Sequence, residues 1–252
     1  MGQGPTKPVK GSKFRVIGAG MTRTGTKTFR EALQILLDGP VHDGPSQAMG
    51  GPRRHGQGWL EAMELAVKPE STAAARKKLN WLLLDLMDGY VGTTDMPATL
   101  MVSELLEAFP DAIVIVTTRE PDSWWKSQRL LESYRELWWL PWLIWPAPRL
   151  NNFPRFMELQ GALMKRHIGV EGFDGPDGLQ RHEKELQRMV PPEKLFFYRC
   201  SDGWEPLCKI LDVPVPDRTF PHNNGPDEVR RAFRLIVAIA QGSRVLIITP
   251  HP

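Results

Sequence analysis

Only two of the 252 residues are cysteine, Cys200 and Cys208, too few for a disulfide framework, so a reducing compartment is expected. No apolar run reaches the ~18 to 20 residues of a membrane-spanning helix. The two longest fall short for stated reasons: Leu137 to Trp145 holds Pro141, and Leu235 to Ile248 is broken by Gln241, Gly242 and Arg244. Each is suited at most to a membrane surface. Nothing at the amino-terminal end has the apolar core of a signal peptide, and a cytoplasmic location is expected. The histidines, His42, His55, His167, His182, His222 and His251, show no ligand spacing, so no metal requirement is expected. A net charge of +3 is too small to point to nucleic acid.

With 41% hydrophobic and 24% charged residues, the chain has the composition of a folded globular protein. One domain is expected over residues 13–224, with a mobile tail over 1–12 and an apolar, helical extension over 225–252. Acid is absent where base is plentiful: residues 1–30 hold seven Lys or Arg, and Glu31 is the first acidic residue. An anion is expected there. The short apolar strand Phe14 to Ile17 leads into Gly18-Ala-Gly20-Met-Thr-Arg-Thr-Gly25-Thr-Lys-Thr28, and Phe29, Ala32, Leu33, Leu36 and Leu37 follow at helical spacing.

Helices are predicted over about Ala73 to Met87, over Val102 to Ala108, from Pro121 through Leu131, and over Trp204 to Leu211; Ile113 to Val116 and Leu195 to Tyr198 read as buried strands. Strands alternating with helices imply an α/β fold, a parallel sheet flanked by helices on both faces.

A strand, a glycine-rich turn and a helix form a phosphate cradle, because the first turn of the helix carries unpaired N–H groups and partial positive charge. Two familiar forms do not fit. A dinucleotide fingerprint needs a third glycine where Arg23 stands, and a nucleotide-triphosphatase loop needs Lys directly after its last glycine, whereas Thr26 separates Gly25 from Lys27.

The string Thr22-Arg-Thr-Gly-Thr-Lys-Thr28 resembles the 5′-phosphosulfate loop of sulfotransferases that use 3′-phosphoadenosine-5′-phosphosulfate, with Arg23 at the usual Lys position. In Arg119-Glu-Pro-Asp-Ser-Trp-Trp-Lys-Ser127, the Arg119 and Ser127 pair looks like that family's 3′-phosphate site. Its spacing lets a strand-end guanidinium and a hydroxyl two turns into a helix meet one phosphate. Asp202-Gly-Trp-Glu-Pro-Leu-Cys208, Pro214-Val-Pro216 and Phe220-Pro-His-Asn223 resemble a branch common in fungi and also found in animals, extending the likeness over about residues 13–224. The resemblance implies a P-loop sulfotransferase in which Arg23, Thr24, Gly25, Thr26, Lys27 and Thr28 hold the 5′-phosphosulfate. It implies a small hydrophobic alcohol or phenol, or an amine, as acceptor.

The family base is often a His a little over twenty residues before the 3′-phosphate Arg; here Asp95 stands there, 24 residues before Arg119, in Tyr90-Val-Gly-Thr-Thr-Asp95. A capping role for the next helix is the alternative. His42, in Pro40-Val-His-Asp43, matches a second His of the branch and is the other candidate base. Four of the nine Trp lie in Trp138 to Trp145, a segment that reads as an acceptor lid or as a bilayer contact beside the C-terminal apolar segment. Two rival functions remain on the residues alone. One is an NTP-using enzyme with Trp81-Leu-Leu-Leu-Asp85 as a metal-holding strand; the other is a nucleotide-binding or membrane-peripheral module without a base.

Overall fold

A computed structural model describes residues 4–68, 72–135, 152–173 and 175–222. The segments Trp138–Trp145 and 225–252 lie outside the described residues. Among the described residues five strands form one sheet: β1 (Val16–Gly18), β2 (Val41–Asp43), β3 (Gly92–Thr94), β4 (Ile113–Thr117) and β5 (Leu195–Tyr198). Their order is β2-β3-β1-β4-β5 and every pairing is parallel. In the register of the central strand, Val16 stands opposite both Gly92 and Ile113. The α/β expectation is met.

Both faces of the sheet are covered because the strands alternate apolar residues outward and inward. In β4, Val114 and Val116 join one core with Ile17, Trp59, Leu83, Met87, Trp124 and Leu163, while Ile115 joins the other with Val16, Phe29, Leu33, Trp204 and Leu207. The second core is closed by α1 (Thr26–Leu36) and α9 (Trp204–Leu211). The first is closed by α3 (Arg53–Ala66), α4 (Ala73–Met87), α5 (Val102–Ala108), α6 (Pro121–Arg135), α7 (Phe153–Ile168) and α8 (Asp177–Met189). Short α2 (Gly44–Gly50) follows β2.

The NTP reading fails at α4. Trp81 to Asp85 is helical, with Trp81 62% exposed, so no metal-holding strand exists there. Residues 4–12 carry contacts that a free tail would lack. Arg30 donates to the Gly4 carbonyl at 2.7 Å, Thr6 Oγ1 to the Val41 carbonyl at 2.7 Å, and the Val9 N–H to the Gly89 carbonyl at 2.8 Å. Thr6 thereby reaches β2, one of the two edge strands of the sheet, while the other two bonds tie the stretch to α1 and to the loop before β3.

Candidate active site

The turn between β1 and α1 lies at the carboxyl end of the central strand, where the sheet order reverses between β1 and β4. In open parallel sheets that is where ligands bind. Two glycines place it there. A Cβ on Gly18 would lie 2.6 Å from the Thr93 carbonyl oxygen, and one on Gly20 would lie 1.8 Å from Thr117 Oγ1. The turn is pressed against the ends of β3 and β4.

Gly25 closes the turn at φ 106°, in the left-handed region, and caps α1 without a side-chain hydrogen bond. No acidic residue stands in the first turn of α1. Its first N–H groups therefore have neither an intrahelical acceptor nor an acidic neighbour on that turn. Arg23 also has positive φ, 70°. Thr24 is buried and turned inward: its N–H and Oγ1 both bond the Met21 carbonyl, and Oγ1 lies 2.6 Å from Thr117 Oγ1. It holds the turn together and has no side-chain donor left for a ligand. The Cys200 thiol, pushed up to about 12 by burial, donates to the Gly25 carbonyl at 3.5 Å.

Helix α6 packs one face on the turn. Arg23 Nε donates to Ser127 Oγ at 2.9 Å, Thr22 Oγ1 to Gln128 Oε1 at 3.0 Å, and Trp124 Nε1 to the Thr22 carbonyl at 2.9 Å. Arg119, just after β4, donates through Nε and the two terminal nitrogens to Ser123 Oγ and the Arg23 carbonyl, at 2.9 to 3.2 Å. Arg119 and Ser127 thus converge on Arg23, but the hydroxyl that Arg119 holds is Ser123. Ser123 and Gln128 were missed in the sequence; their signal was spacing, since residues 123, 124, 127 and 128 share one helical face.

Asp95 follows β3 with φ 66°. Its carboxylate accepts the Thr26 hydroxyl at 3.0 Å through Oδ2 and the Met96 N–H at 2.8 Å through Oδ1. The 3-10 turn that follows, Ala98–Leu100, has no side-chain cap, so Asp95 does not serve as one. Burial raises the Asp95 pKa to about 6, reinforced by the Asp43 carboxylate and opposed by the Met96 N–H, the Thr26 hydroxyl and Lys27. Lys27 therefore shares the electrostatic neighbourhood of Asp95.

His42 does not join this group. It lies in β2 with 0% exposure, its Nε2 accepts from Trp59 Nε1 at 3.3 Å, and the rings of His55 and Tyr90 stand 5.7 and 5.1 Å away. Burial, then His55 and Arg30, lowers its pKa to about 3. These ring partners lie on α3 and in the loop just before β3. That enclosure sets His42, the other candidate base, apart from the group around Asp95. Next to it, Asp43 receives Arg30 NH1 at 2.9 Å and the Ser46 hydroxyl, so the second carboxylate near Asp95 is already neutralised by a cation. Among the described residues no group of three His, Cys, Asp or Glu is placed to hold a metal ion. No described helix is long and apolar enough to cross a membrane.

These features define a parallel α/β protein with a cationic, glycine-rich turn at its switch point and a buried carboxylate bonded to that turn. Residues 15–229 match the sulfotransferase domain model. A protein of Aspergillus versicolor named Ava biosynthesis cluster protein M is 30% identical over 220 residues, 83% of this chain and 80% of its own. Sulfotransferase structures from Mycobacterium avium and Alicyclobacillus acidocaldarius superpose with TM-scores of 0.40 and 0.42 at 13% and 14% identity. The first covers 91% of this chain and 69% of its own, the second 96% and 98%. The chain belongs to the sulfotransferase family, and it is a transferase by that membership.

Proposed function

We propose that this protein transfers the sulfuryl group of 3′-phosphoadenosine-5′-phosphosulfate to the hydroxyl of a small hydrophobic acceptor, an alcohol or a phenol. The observation that carries the reading is the bond from Thr26 Oγ1 to Asp95 Oδ2 at 3.0 Å: a buried carboxylate is fixed against the turn that would hold the leaving phosphate. The turn suits that anion, with the acid-free first turn of α1, no room for a side chain at Gly20, and Arg23 and Lys27 in place. Arg119 and Ser127 would meet the 3′-phosphate on the other side of Arg23.

The donor supplies an activated sulfuryl group whose bond to the 5′-phosphate breaks as the acceptor oxygen bonds sulfur. Asp95 takes the acceptor's proton, and its raised pKa makes it a better base than an exposed carboxylate. Lys27 and Arg23 offset charge that builds on the departing phosphate. A cytoplasmic setting, and acceptor or bilayer contact through Trp138–Trp145 and the 225–252 segment, complete the proposal.

The test pairs binding with turnover. 3′-Phosphoadenosine-5′-phosphate should raise the melting temperature where ATP with magnesium does not, and a panel of phenols and alcohols should yield sulfated product with the donor. Preference for ATP with magnesium, or binding without turnover on any acceptor, overturns the assignment.

A further inference from the structure

We infer that helix α8 is a clamp for the donor site and that His182 is a positioning residue of the reaction. His182 is buried on α8; its Nε2 lies 2.7 Å from the Ala19 carbonyl oxygen, and its Nδ1 lies 2.8 Å from His167 Nε2 on α7. A carbonyl oxygen can only accept, so Nε2 of His182 carries its proton. Nδ1 is then the acceptor, and His167 must donate to it through Nε2. The string is directed: His167 to His182 to Ala19. Burial lowers His182 to about 3 and His167 to about 4, so both rings are neutral at pH 7, as this direction requires.

Ala19 is the residue through which β1 enters the glycine-rich turn. Its N–H donates to the Ile115 carbonyl at 2.9 Å, so β4 holds one side of the residue and α8 the other. Gly20 follows, and its carbonyl accepts Thr99 Oγ1 at 3.2 Å. The next residue of α8 holds the other half of the site. Glu183 Oε1 accepts the Thr118 hydroxyl, and Thr118 is the residue before Arg119. Consecutive residues of one helix thus tie down the exits of β1 and β4, from which the two donor-binding segments start. Leu179 and Leu186, three residues before and four after His182, bury α8 in the main core and give the clamp a fixed base.

Removing the His182 donor leaves the Ala19 carbonyl unpaired in a buried place, which the chain relieves by shifting the turn. Small shifts at a site that works by positioning have large kinetic effects. The bond acts on Ala19, where the donor cradle begins, so the KM for the donor should rise more than that for the acceptor.

The assignment rests on the donor site proposed above, and the experiment separates the two. His182→Phe, His182→Gln, His167→Phe and Glu183→Ala are compared with the wild type by donor and acceptor KM. Amide hydrogen exchange is followed without any ligand. His182→Phe should raise the donor KM about tenfold or more, leave the acceptor KM within about twofold, and speed exchange at residues 19–28. His182→Gln should restore both readouts, since Gln can donate to Ala19 and accept from His167. Glu183→Ala should act on donor KM in the same direction and speed exchange around Thr118. His167→Phe keeps the bond to Ala19, so it should show a smaller loss and keeps the test open if His182→Phe fails to fold. Equal rises in both KM values, failure of Gln to rescue, or exchange unchanged at residues 19–28 overturns the clamp. Faster exchange at the turn with no donor binding by the wild type leaves the clamp standing and overturns the donor reading alone.

Discussion

Arg23 Nε donates to the Ser127 hydroxyl at 2.9 Å across 104 positions of sequence. The same Arg23 presents its carbonyl to Arg119 at 3.2 Å. One residue of the glycine-rich turn therefore joins the two segments that the proposed function assigns to different phosphates of one donor. A 3′-phosphate would contact Ser127 and Arg119 beside this joint, so affinity for both ends of the donor should be linked through it.

Arg119→Ala is expected to weaken binding of 3′-phosphoadenosine-5′-phosphate by a charge-assisted contact, on the order of 1.5 to 3 kcal/mol. Ser127→Ala should act in the same direction and less. Thermal shifts with the 3′-phosphorylated nucleotide and with its 3′-hydroxyl counterpart measure the effect. Equal shifts for the two nucleotides in the wild type would sink the assignment.

Gly20→Ala should dislodge the turn while leaving the sheet intact. The added Cβ would meet Thr117 Oγ1 at 1.8 Å and the Thr117 backbone N and O at 2.8 Å, and overpacking of this kind costs about 1 to 3 kcal/mol. Pairing it with Thr117→Ala should recover only part of the loss, because the two backbone contacts remain. Calorimetry with nucleotide titration checks both points, and full recovery in the double variant would show that the backbone approach is not what demands glycine.

The turn itself was legible because its signals are local: alternation in β1, two close glycines, a base-rich stretch without acid, then helical spacing from Phe29 to Leu37. Asp95 and the Arg119 to Ser127 span were legible through resemblance and position. What escaped depends on long-range packing. Nothing next to Thr24 in sequence says that its hydroxyl faces Thr117, 93 positions away. His42 was singled out because it matches a second His of the branch soon after the first helix, and only the placement of α3 over β2 shows it enclosed by Trp59 and His55. Helix α3 was hidden by its polar, glycine-containing start, Arg53-Arg54-His55-Gly56-Gln57-Gly58. Helix α8 buries only a narrow stripe, Gly178, Leu179, His182 and Leu186, among polar neighbours.

His42→Gln is expected to lower stability without removing the chemistry. The ring is fully buried and accepts from Trp59, and disturbing a buried polar pair costs about 1 to 3 kcal/mol. Denaturant unfolding should show that loss, while kcat per folded molecule stays within about threefold of the wild type. A loss of kcat by ~100-fold at unchanged stability would return His42 to the catalytic group.

Acid should destabilise the protein well before ordinary carboxylates titrate. His42, His167 and His182 have folded pKa values lowered to about 3, 4 and 3 from 6.5. Between those values the unfolded chain binds more protons, so stability rises with pH up to the unfolded value and falls as pH drops below about 6.5. Asp95 acts in the opposite sense between about 4 and 6, but it is one group against these three and His55, whose pKa burial also lowers. Denaturant midpoints at pH 7 and pH 5 should differ, with pH 5 lower. Equal midpoints would mean that the three rings are not held neutral by burial.

Asp95→Asn separates chemistry from stability in one variant. The amide can still accept the Met96 N–H and pair with Thr26, so the turn keeps its geometry and nucleotide binding should persist. Turnover should fall by ~100-fold or more, the range for loss of a general base. Stability should move the other way. The folded pKa, about 6, lies above the reference value of 3.8, so the folded chain holds this proton more tightly. That contribution is full below about pH 4 and is lost as pH rises through about 6, leaving a buried charge at pH 7 that Asn does not carry. Asp95→Asn should therefore be more stable than the wild type at pH 7 by on the order of 1 to 3 kcal/mol, and the difference should shrink toward pH 4. The wild-type rate should climb with an apparent pKa near 6 as the carboxylate ionises. A variant that keeps most of its activity, or wild-type rates flat from pH 5 to pH 7, would remove Asp95 from the base role.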